Sequence, residues 1–224
     1  MNLIFIFVGR VTRVDKVKIM SREDTNFRIV HFHKIFLVFS LFFSTLISFG
    51  QIPKPALVGY WENWGTMKLS EIHEDYTVIQ IAFAVTKNSS LYDMEFNLPD
   101  GYSQTAFLED IESIHQEGKV VILSIGGAAD PIRLDDETAY TTFVSSMNEI
   151  LSDYEYAFDG IDIDFESSSL DFGSEWTIEE PSVGQQYLID AIRAIKANYI
   201  AEKGKRMLLT MAPENIYLVG ALSN

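Results

Sequence analysis

The chain has 224 residues, of which 47% are apolar, 13% are aromatic and none is cysteine, and its formal net charge is −15. This composition excludes a disordered chain, a disulfide scaffold and a zinc–thiolate site. The acidic balance argues against a nucleic-acid partner, because binding to phosphates needs a basic surface.

The first 50 residues differ from the rest in charge. They hold seven Lys or Arg and three Asp or Glu, whereas the other 174 residues hold 10 basic and 29 acidic side chains. An uncharged apolar run at about 35–49 follows Lys34, which is the pattern of a secretory signal peptide. The run is shorter than the ~20 residues of a membrane-spanning helix. We therefore expect residues 1–50 to be a cleaved leader, with an uncleaved membrane anchor as the alternative.

This leader predicts where the protein acts. Cleavage would leave no stable membrane span and would place the protein outside the cell, in the periplasm or on the cell surface. A start at Met20 would give a signal of normal length, and we treat that start as a hypothesis.

The remainder of the chain alternates apolar runs with amphipathic stretches. Nearly continuous apolar runs predict strands buried on both faces, at 56–61, 78–85, 119–127, 157–166 and 206–213. Apolar residues at helical spacing predict helices between them, at 104–118, 137–154 and 183–204. Repeated strand–helix–strand units predict a parallel α/β sheet within a single domain over 51–224.

Carboxylates interrupt the fourth predicted strand, near its carboxyl end. Because side chains alternate across a strand, Asp162, Asp164 and Glu166 are expected on one face, about 6 to 7 Å apart along the backbone. The residues between them are apolar and would face the helices. Asp159 has the opposite parity, which indicates a structural role.

Spacing alone leaves three uses for these carboxylates open. Neighbouring negative charges raise each other's proton affinity, and a protonated carboxyl beside an ionised one is what general-acid cleavage of a glycosidic bond needs. A calcium or magnesium site would also use carboxylates, but strand spacing without a turn loop is unlike the common cages. The third use is an acidic, solvated edge strand, against which the intervening Ile and Phe side chains argue.

The segment DGIDIDFE (159–166) resembles the DxxDxDxE signature of glycoside hydrolase family 18, the chitinase family. Four further segments resemble the family's landmarks in the same order. They are GYWENWG (59–65) on the first strand, IAFA (81–84) on the second, SIGG (124–127) on the third and LTMAPE (209–214) on the fifth. The resemblance covers about residues 56–220.

The resemblance implies an α/β fold of the (β/α)8 TIM-barrel type, with only about the first five strands present, and a partial catalytic domain over 51–224. It also implies catalytic roles. Glu166 would be the general acid, Asp164 would orient the substrate's acetamido group and share a proton with Glu166, and Asp162 would tune the charge of Asp164. The nucleophile would be the substrate's own N-acetyl carbonyl, with net retention. No metal or cofactor is implied.

The resemblance further implies two sets of supporting residues. Those expected to contact the sugar are Tyr60, Phe83, Trp64, Met211 and Glu214. Those expected to support the structure are Asp159, Ser124, Gly126 and Gly127. Trp61 is a second candidate for stacking on a sugar ring, and packing in the core or at the rim is the alternative for each aromatic side chain. A binding role and a plain surface role both stay open for Glu214.

The expected activity is endo-acting hydrolysis of β-1,4 linkages between N-acetylglucosamine units in chitin or chito-oligosaccharides. Two alternatives stay open, an endo-β-N-acetylglucosaminidase acting on N-glycans and a non-catalytic chitin-binding lectin. The lectin is disfavoured because such members usually lose the glutamate that Glu166 supplies here. The family's sixth-strand tyrosine and eighth-strand tryptophan have no counterpart, so we expect little or no hydrolysis from these 224 residues alone.

Overall fold

The computed structural model describes residues 52–88, 90–128, 131–166, 169 and 180–214. The strands within these ranges are β1 (Val58–Glu62), β2 (Val78–Thr86), β3 (Met94–Glu95), β4 (Val120–Gly126), β5 (Gly160–Asp164) and β6 (Leu208–Met211). The α-helices are α1 (Gln104–Gln116), α2 (Glu137–Asp153) and α3 (Val183–Lys203). A short 3₁₀ turn covers Leu69–Glu71. The predicted leader lies outside the described residues.

The strands form a parallel sheet with the order β1-β2-β4-β5-β6, and helices connect β2 to β4, β4 to β5 and β5 to β6. The sequence-based fold class is therefore confirmed, since consecutive strand–helix units with neighbouring strands are how a TIM barrel begins. The antiparallel strand β3, which pairs with the end of β2, was not predicted. With two residues it is too short to carry a hydrophobic period.

Local sequence explains where the helices begin and end. Ser103, Asp136 and Ser182 precede α1, α2 and α3, and each side chain accepts a hydrogen bond from a backbone N–H of the first turn. Gly204 ends α3 in the left-handed conformation, with φ of 64°, which favours glycine. The predicted helix boundaries consequently agree with the observed ones to within two residues.

The two faces of the sheet have different chemistry. On the outer face, side chains such as Ile81, Leu123 and Ile161 pack against apolar residues of the helices, Phe107 and Phe143 among them, in one large core. On the inner face, a smaller apolar cluster of Val78, Val120 and Ile122 lies at the amino ends of the strands, with Leu208 packed against it. Above that cluster the inner face becomes polar, and the candidate site is located there.

Asp159 anchors the amino end of β5 to the neighbouring elements through hydrogen bonds. Its buried carboxylate accepts hydrogen bonds from the Val121 backbone N–H at 3.0 Å, from His115 Nε2 at 2.8 Å and from Lys205 Nζ at 2.8 Å. His115 lies in the last turn of α1 and Lys205 follows α3, so one side chain joins both helices to β4. Burial alone would raise the pKa of Asp159, but the bonds from His115 and Lys205 outweigh burial and hold that pKa below its usual range.

Replacing this charge should destabilise the fold. In Asp159→Asn, His115 and Lys205 lose their buried anionic partner, and we expect the free energy of unfolding at pH 7 to fall by about 3 kcal/mol. Because the pKa of Asp159 is lowered in the folded state, its stabilisation is present above the unfolded pKa of about 3.9 and is lost as pH falls through the folded pKa. Urea unfolding measures this effect. The free energies of unfolding of Asp159→Asn and of the unmodified chain should differ less at pH 3 than at pH 7.

The matched control is Asp75→Asn, which removes the carboxylate of an exposed pair with His73 at 3.4 Å. Exposed ion pairs contribute little, so this variant should unfold like the unmodified chain. An equal loss of stability in both variants would contradict the anchoring role of Asp159.

Candidate active site

Asp162 lies at the centre of the polar part of the inner face. Its side chain is completely buried, at 0% exposure, and it is held by three hydroxyl groups. Oδ2 accepts from Tyr60 OH at 2.9 Å and from Ser124 Oγ at 2.7 Å, and Oδ1 accepts from Thr210 Oγ1 at 2.6 Å. Because an isolated buried carboxylate is strongly disfavoured, these donors are what allow a charge at this position.

Strand register explains why the hydroxyls meet Asp162. Ser124 of β4 and Thr210 of β6 are the direct partners of Asp162 in the two neighbouring parallel strands. Tyr60 reaches the same carboxylate from β1, at the end of the sheet. Burial, and then the negative charge of Asp162, raise the pKa of the Tyr60 hydroxyl above its usual value, so Tyr60 remains protonated and donates.

Two residues that the sequence analysis missed complete this cluster, Gln80 and Thr210. Gln80 is buried at 6% exposure and donates from Nε2 to Thr210 Oγ1 at 3.2 Å. The available signal was a polar residue in the middle of each apolar run, VIQIAFAV and RMLLTMAP. Such interruptions occur in other buried strands too, so only the fold shows that these two meet.

Asp164 ends β5 at the mouth of the inner face and is half-buried. Burial raises the pKa of Asp164 to about 6, with further contributions from the negative charges of Glu166, Asp162 and Glu214. The structure therefore brings Glu214, one of the residues expected to contact the sugar, close enough for its charge to act on Asp164. A carboxyl with a pKa of about 6 holds its proton in mildly acidic solution.

Glu166 lies beyond the end of the strand, which corrects the predicted span of 157–166. β5 covers only Gly160–Asp164, because pairing with β4 ends where the Gly127 N–H donates to the Asp164 carbonyl at 2.7 Å. Strand alternation consequently does not determine the direction of Glu166. Its half-buried carboxylate nevertheless raises the pKa of Asp164 more than the charge of Asp162 or of Glu214 does.

The two glycines of SIGG allow close packing around Asp164. Gly126 has φ of 106°, and a Cβ there would lie 2.4 Å from the Asp164 carbonyl oxygen. Gly127 has φ of 93°, and its Cβ would lie 3.0 Å from the Phe83 ring. A side chain at Gly126 would therefore displace the end of β5, whereas one at Gly127 would press on an aromatic residue of the site.

An aromatic surface borders the carboxylates. The Phe83 ring lies 6.0 Å from that of Tyr60 and 5.9 Å from that of Trp64, and it stacks on Trp64 with 22° between the planes. Trp64 is 62% exposed and has one ring face turned away from Phe83. Trp61 is 3% exposed, and it packs against Tyr102 and Phe107 in the outer core. Between Trp61 and Trp64, it is therefore Trp64 that is accessible to a sugar.

The structure does not bring Met211 together with the carboxylates. Met211 alternates with Thr210 along β6 and pairs with Ile163, which belongs to the outer core. Side chains at adjacent strand positions point to opposite faces, so Met211, at 56% exposure, lies on the opposite face from Asp162. The predicted contact of Met211 with the sugar has no support in this placement.

The arrangement can supply a proton at a surface that is partly apolar. Asp164 and Glu166 lie together at the open end of the sheet, Asp162 stands behind Asp164, and aromatic rings flank them. Among the residues that the structure describes, no cluster of three or more His, Cys, Asp or Glu could hold a metal ion. Proton transfer by the carboxyl groups themselves is the chemistry that this geometry favours.

Comparisons with known proteins give consistent results. The profile of Glycosyl hydrolases family 18 matches residues 56–217. A chitinase of Enterococcus faecalis is 31% identical, over 74% of this chain and 47% of its own length. A Paenibacillus xylanexedens chitinase is 33% identical, over 73% of this chain and 31% of its own length.

Two solved structures are similar as well. The family GH18 chitinase from Chromobacterium violaceum has a TM-score of 0.62 and 35% identity, over 76% of this chain and 43% of its own. A putative chitinase A from Streptomyces coelicolor has a TM-score of 0.54 and 29% identity, over 70% and 50%. The chain thus spans at most half of the length of these four relatives.

The negative charges around Asp164 should have graded effects on its titration. Glu166→Gln and Glu214→Gln each remove one charge that raises the pKa of Asp164, and we expect Glu166→Gln to lower that pKa more. The ¹³Cγ chemical shift of Asp164, followed against pH by NMR, measures both effects.

Glu109→Gln is the matched control, since Glu109 lies on α1 and is exposed. It should leave the titration of Asp164 unchanged. A midpoint for Asp164 near the ordinary aspartate value of about 3.9 in the unmodified chain would contradict the electrostatics described for the site.

Proposed function

The chain belongs to Glycosyl hydrolases family 18, and on that premise we propose that the protein hydrolyses β-1,4 bonds between N-acetylglucosamine units in chitin or chito-oligosaccharides. The observation that carries this proposal is the carboxyl pair Asp164 and Glu166 at the mouth of the sheet, with the pKa of Asp164 raised to about 6. Such a pair can hold one proton near neutral pH, as acid cleavage of a glycoside needs.

In the proposed reaction Glu166 donates a proton to the leaving glycosidic oxygen. Its half-buried position outside the regular strand leaves the carboxyl accessible from the mouth of the sheet. As the glycosidic bond breaks, the oxygen of the substrate's N-acetyl group attacks the anomeric carbon. The same Glu166 carboxylate then takes a proton from the water that opens the resulting ring, which returns the enzyme to its starting state with net retention.

Asp164 is proposed to orient the acetamido group and to stabilise the positive charge that develops on it. The fixed position of Asp162, bonded by Tyr60, Ser124 and Thr210, supports this role because a second negative charge behind Asp164 increases its attraction for a proton. Asp164 can therefore share a proton with Glu166 while the bond to the leaving group breaks.

Trp64 and Phe83 are proposed to bind the sugar next to the scissile bond. The stacked pair offers an exposed aromatic face, at 62% exposure for Trp64, close to Tyr60 at the carboxylates. Aromatic faces bind the apolar side of a pyranose ring, because burying carbon-bound hydrogens removes apolar surface from water. Glu214 is proposed to contribute to the same opening through its charge near Asp164.

We also propose that the protein is exported, with endo-acting cleavage of polymeric chitin outside the cytoplasm. The support is the apolar run at about 35–49 behind a basic segment. The helices within the described ranges include none that is long and apolar enough to cross a membrane. N-terminal sequencing of the exported protein would locate the cleavage site.

Glu166→Gln should abolish hydrolysis and leave binding unchanged, because glutamine keeps the shape of the side chain but cannot donate an acidic proton. Turnover of chito-oligosaccharides by the complete gene product should fall at least about 1,000-fold, with an unchanged dissociation constant for the same oligosaccharide. Glu109→Gln on the exposed face of α1 is the control and should keep full activity.

The substrate class is tested in the same preparation. Cleavage of a high-mannose glycopeptide, without cleavage of chito-oligosaccharides, would replace the chitinase proposal by that of an endo-β-N-acetylglucosaminidase. Binding of chito-oligosaccharides without turnover, in the unmodified protein and in Glu166→Gln alike, would indicate a lectin.

Trp64→Ala should weaken binding of chito-oligosaccharides by about tenfold, or about 1.4 kcal/mol, since it removes the exposed stacking face. Trp64→Phe keeps an aromatic ring and should recover most of the affinity. Isothermal titration calorimetry in the Glu166→Gln background measures binding without turnover. Equal affinity of Trp64→Ala and the unmodified protein would exclude Trp64 from the sugar site.

A further inference from the structure

Gln80 makes an unusual connection across the inner face of the sheet. It lies in the middle of β2, where its neighbours along the strand are apolar. Its side chain donates to Thr210 of β6, although β4 and β5 lie between β2 and β6 in the order of the sheet. A buried amide that extends this far inside a sheet has lost its contact with water, so its bond to Thr210 compensates for that loss.

Thr210 links this amide to the buried carboxylate. Its hydroxyl oxygen accepts from Gln80 Nε2 at 3.2 Å, and its hydrogen is therefore free to point to Asp162 Oδ1, 2.6 Å away. Within the described part of the chain, the two other donors to Asp162 are Tyr60 and Ser124, and both donate to Oδ2. Thr210 is thus the donor that holds the second carboxylate oxygen.

We propose that Thr210, oriented by Gln80, is a positioning residue that keeps the carboxylate of Asp162 in one orientation behind Asp164. A carboxylate held at both oxygens cannot rotate about its Cβ–Cγ bond without breaking bonds to β1, β4 or β6. The charge of Asp162 therefore stays at a position from which it raises the pKa of Asp164. Thr210 accordingly affects the proton of Asp164 through the position of the Asp162 carboxylate.

The position of the Asp162 charge affects the titration of Asp164. The groups whose charges or hydroxyls face Asp164 are Asp162 on its own strand, Glu166 after that strand, Glu214 after β6 and Tyr60 on β1. Removing the Thr210 hydroxyl would leave Asp162 Oδ1 without this donor, and the carboxylate could then turn its charge away from Asp164. One of the charges that raise the pKa of Asp164 would therefore act on it less strongly.

The test compares two substitutions at Thr210 in the full chain without substrate. Thr210→Val keeps the shape and removes the donor, whereas Thr210→Ser keeps the donor. We expect the ¹³Cγ titration of Asp164 to move to lower pH by about one pH unit in Thr210→Val and to remain unchanged in Thr210→Ser. Thr141→Val is the control, because the Thr141 hydroxyl bonds only to backbone carbonyls of its own helix among the described contacts.

A second variant keeps the test informative if Thr210→Val does not fold. Gln80→Met removes the amide but leaves the Thr210 hydroxyl, and the titration of Asp164 should move in the same direction by a smaller amount. A loss of thermal stability in Thr210→Val or in Gln80→Met, with the titration of Asp164 unchanged, would overturn the proposal and leave a purely structural role.

The inference rests on the proposed function only where it treats Asp164 as a catalytic carboxyl. The titration of Asp164 needs no turnover, so the positioning role of Thr210 and the proposed function are tested separately. A shifted titration in a protein without hydrolytic activity would support the positioning role of Thr210 and refute the proposed function. An unshifted titration in a protein that cleaves chito-oligosaccharides would do the opposite.

Discussion

The buried carboxylate of Asp162 is the constraint on which the rest of the site depends. Three strands contribute a hydroxyl to it, from Tyr60, Ser124 and Thr210. A shift of one residue in the register of β4 or β6 would turn Ser124 or Thr210 to the outer face and remove one of the three donors to the buried carboxylate. Since burying an uncompensated charge costs several kcal/mol, strand register and the charge of the site are coupled.

Hydrogen bonds hold β5 at both ends, and β5 thereby fixes the position of Asp164 relative to Asp162. At its amino end, Asp159 is bonded to His115, Lys205 and the backbone of β4. At its carboxyl end, the Gly127 N–H holds the Asp164 carbonyl, and Gly126 leaves room for that approach. With both ends of β5 bonded and Asp162 held between them, the backbone at Asp164 is fixed in place. Burial of this carboxyl, together with the negative charges of Glu166, Asp162 and Glu214, raises the pKa of Asp164 and prepares it for proton exchange.

The apolar outer face of the sheet contributes stability, and the polar inner face carries the candidate site. Burial against the helices stabilises the strands, and this allows the inner face to carry charge that would by itself destabilise the fold. The sheet ends at β1 and β6 within the described residues, and Leu209 and Met211 are exposed on the outer face of β6.

The sequence by itself determined the parallel α/β class, the helix boundaries and the alternation that places Asp162 and Asp164 on one face, because those features follow from local periodicity and capping. Only the tertiary structure decided which distant side chains meet. Gln80 and Thr210 are 130 positions apart, and no local pattern joins them. The end of β5 before Glu166, the burial of Trp61 and the outward position of Met211 likewise depend on how strands pair and pack, which a single strand's sequence does not contain.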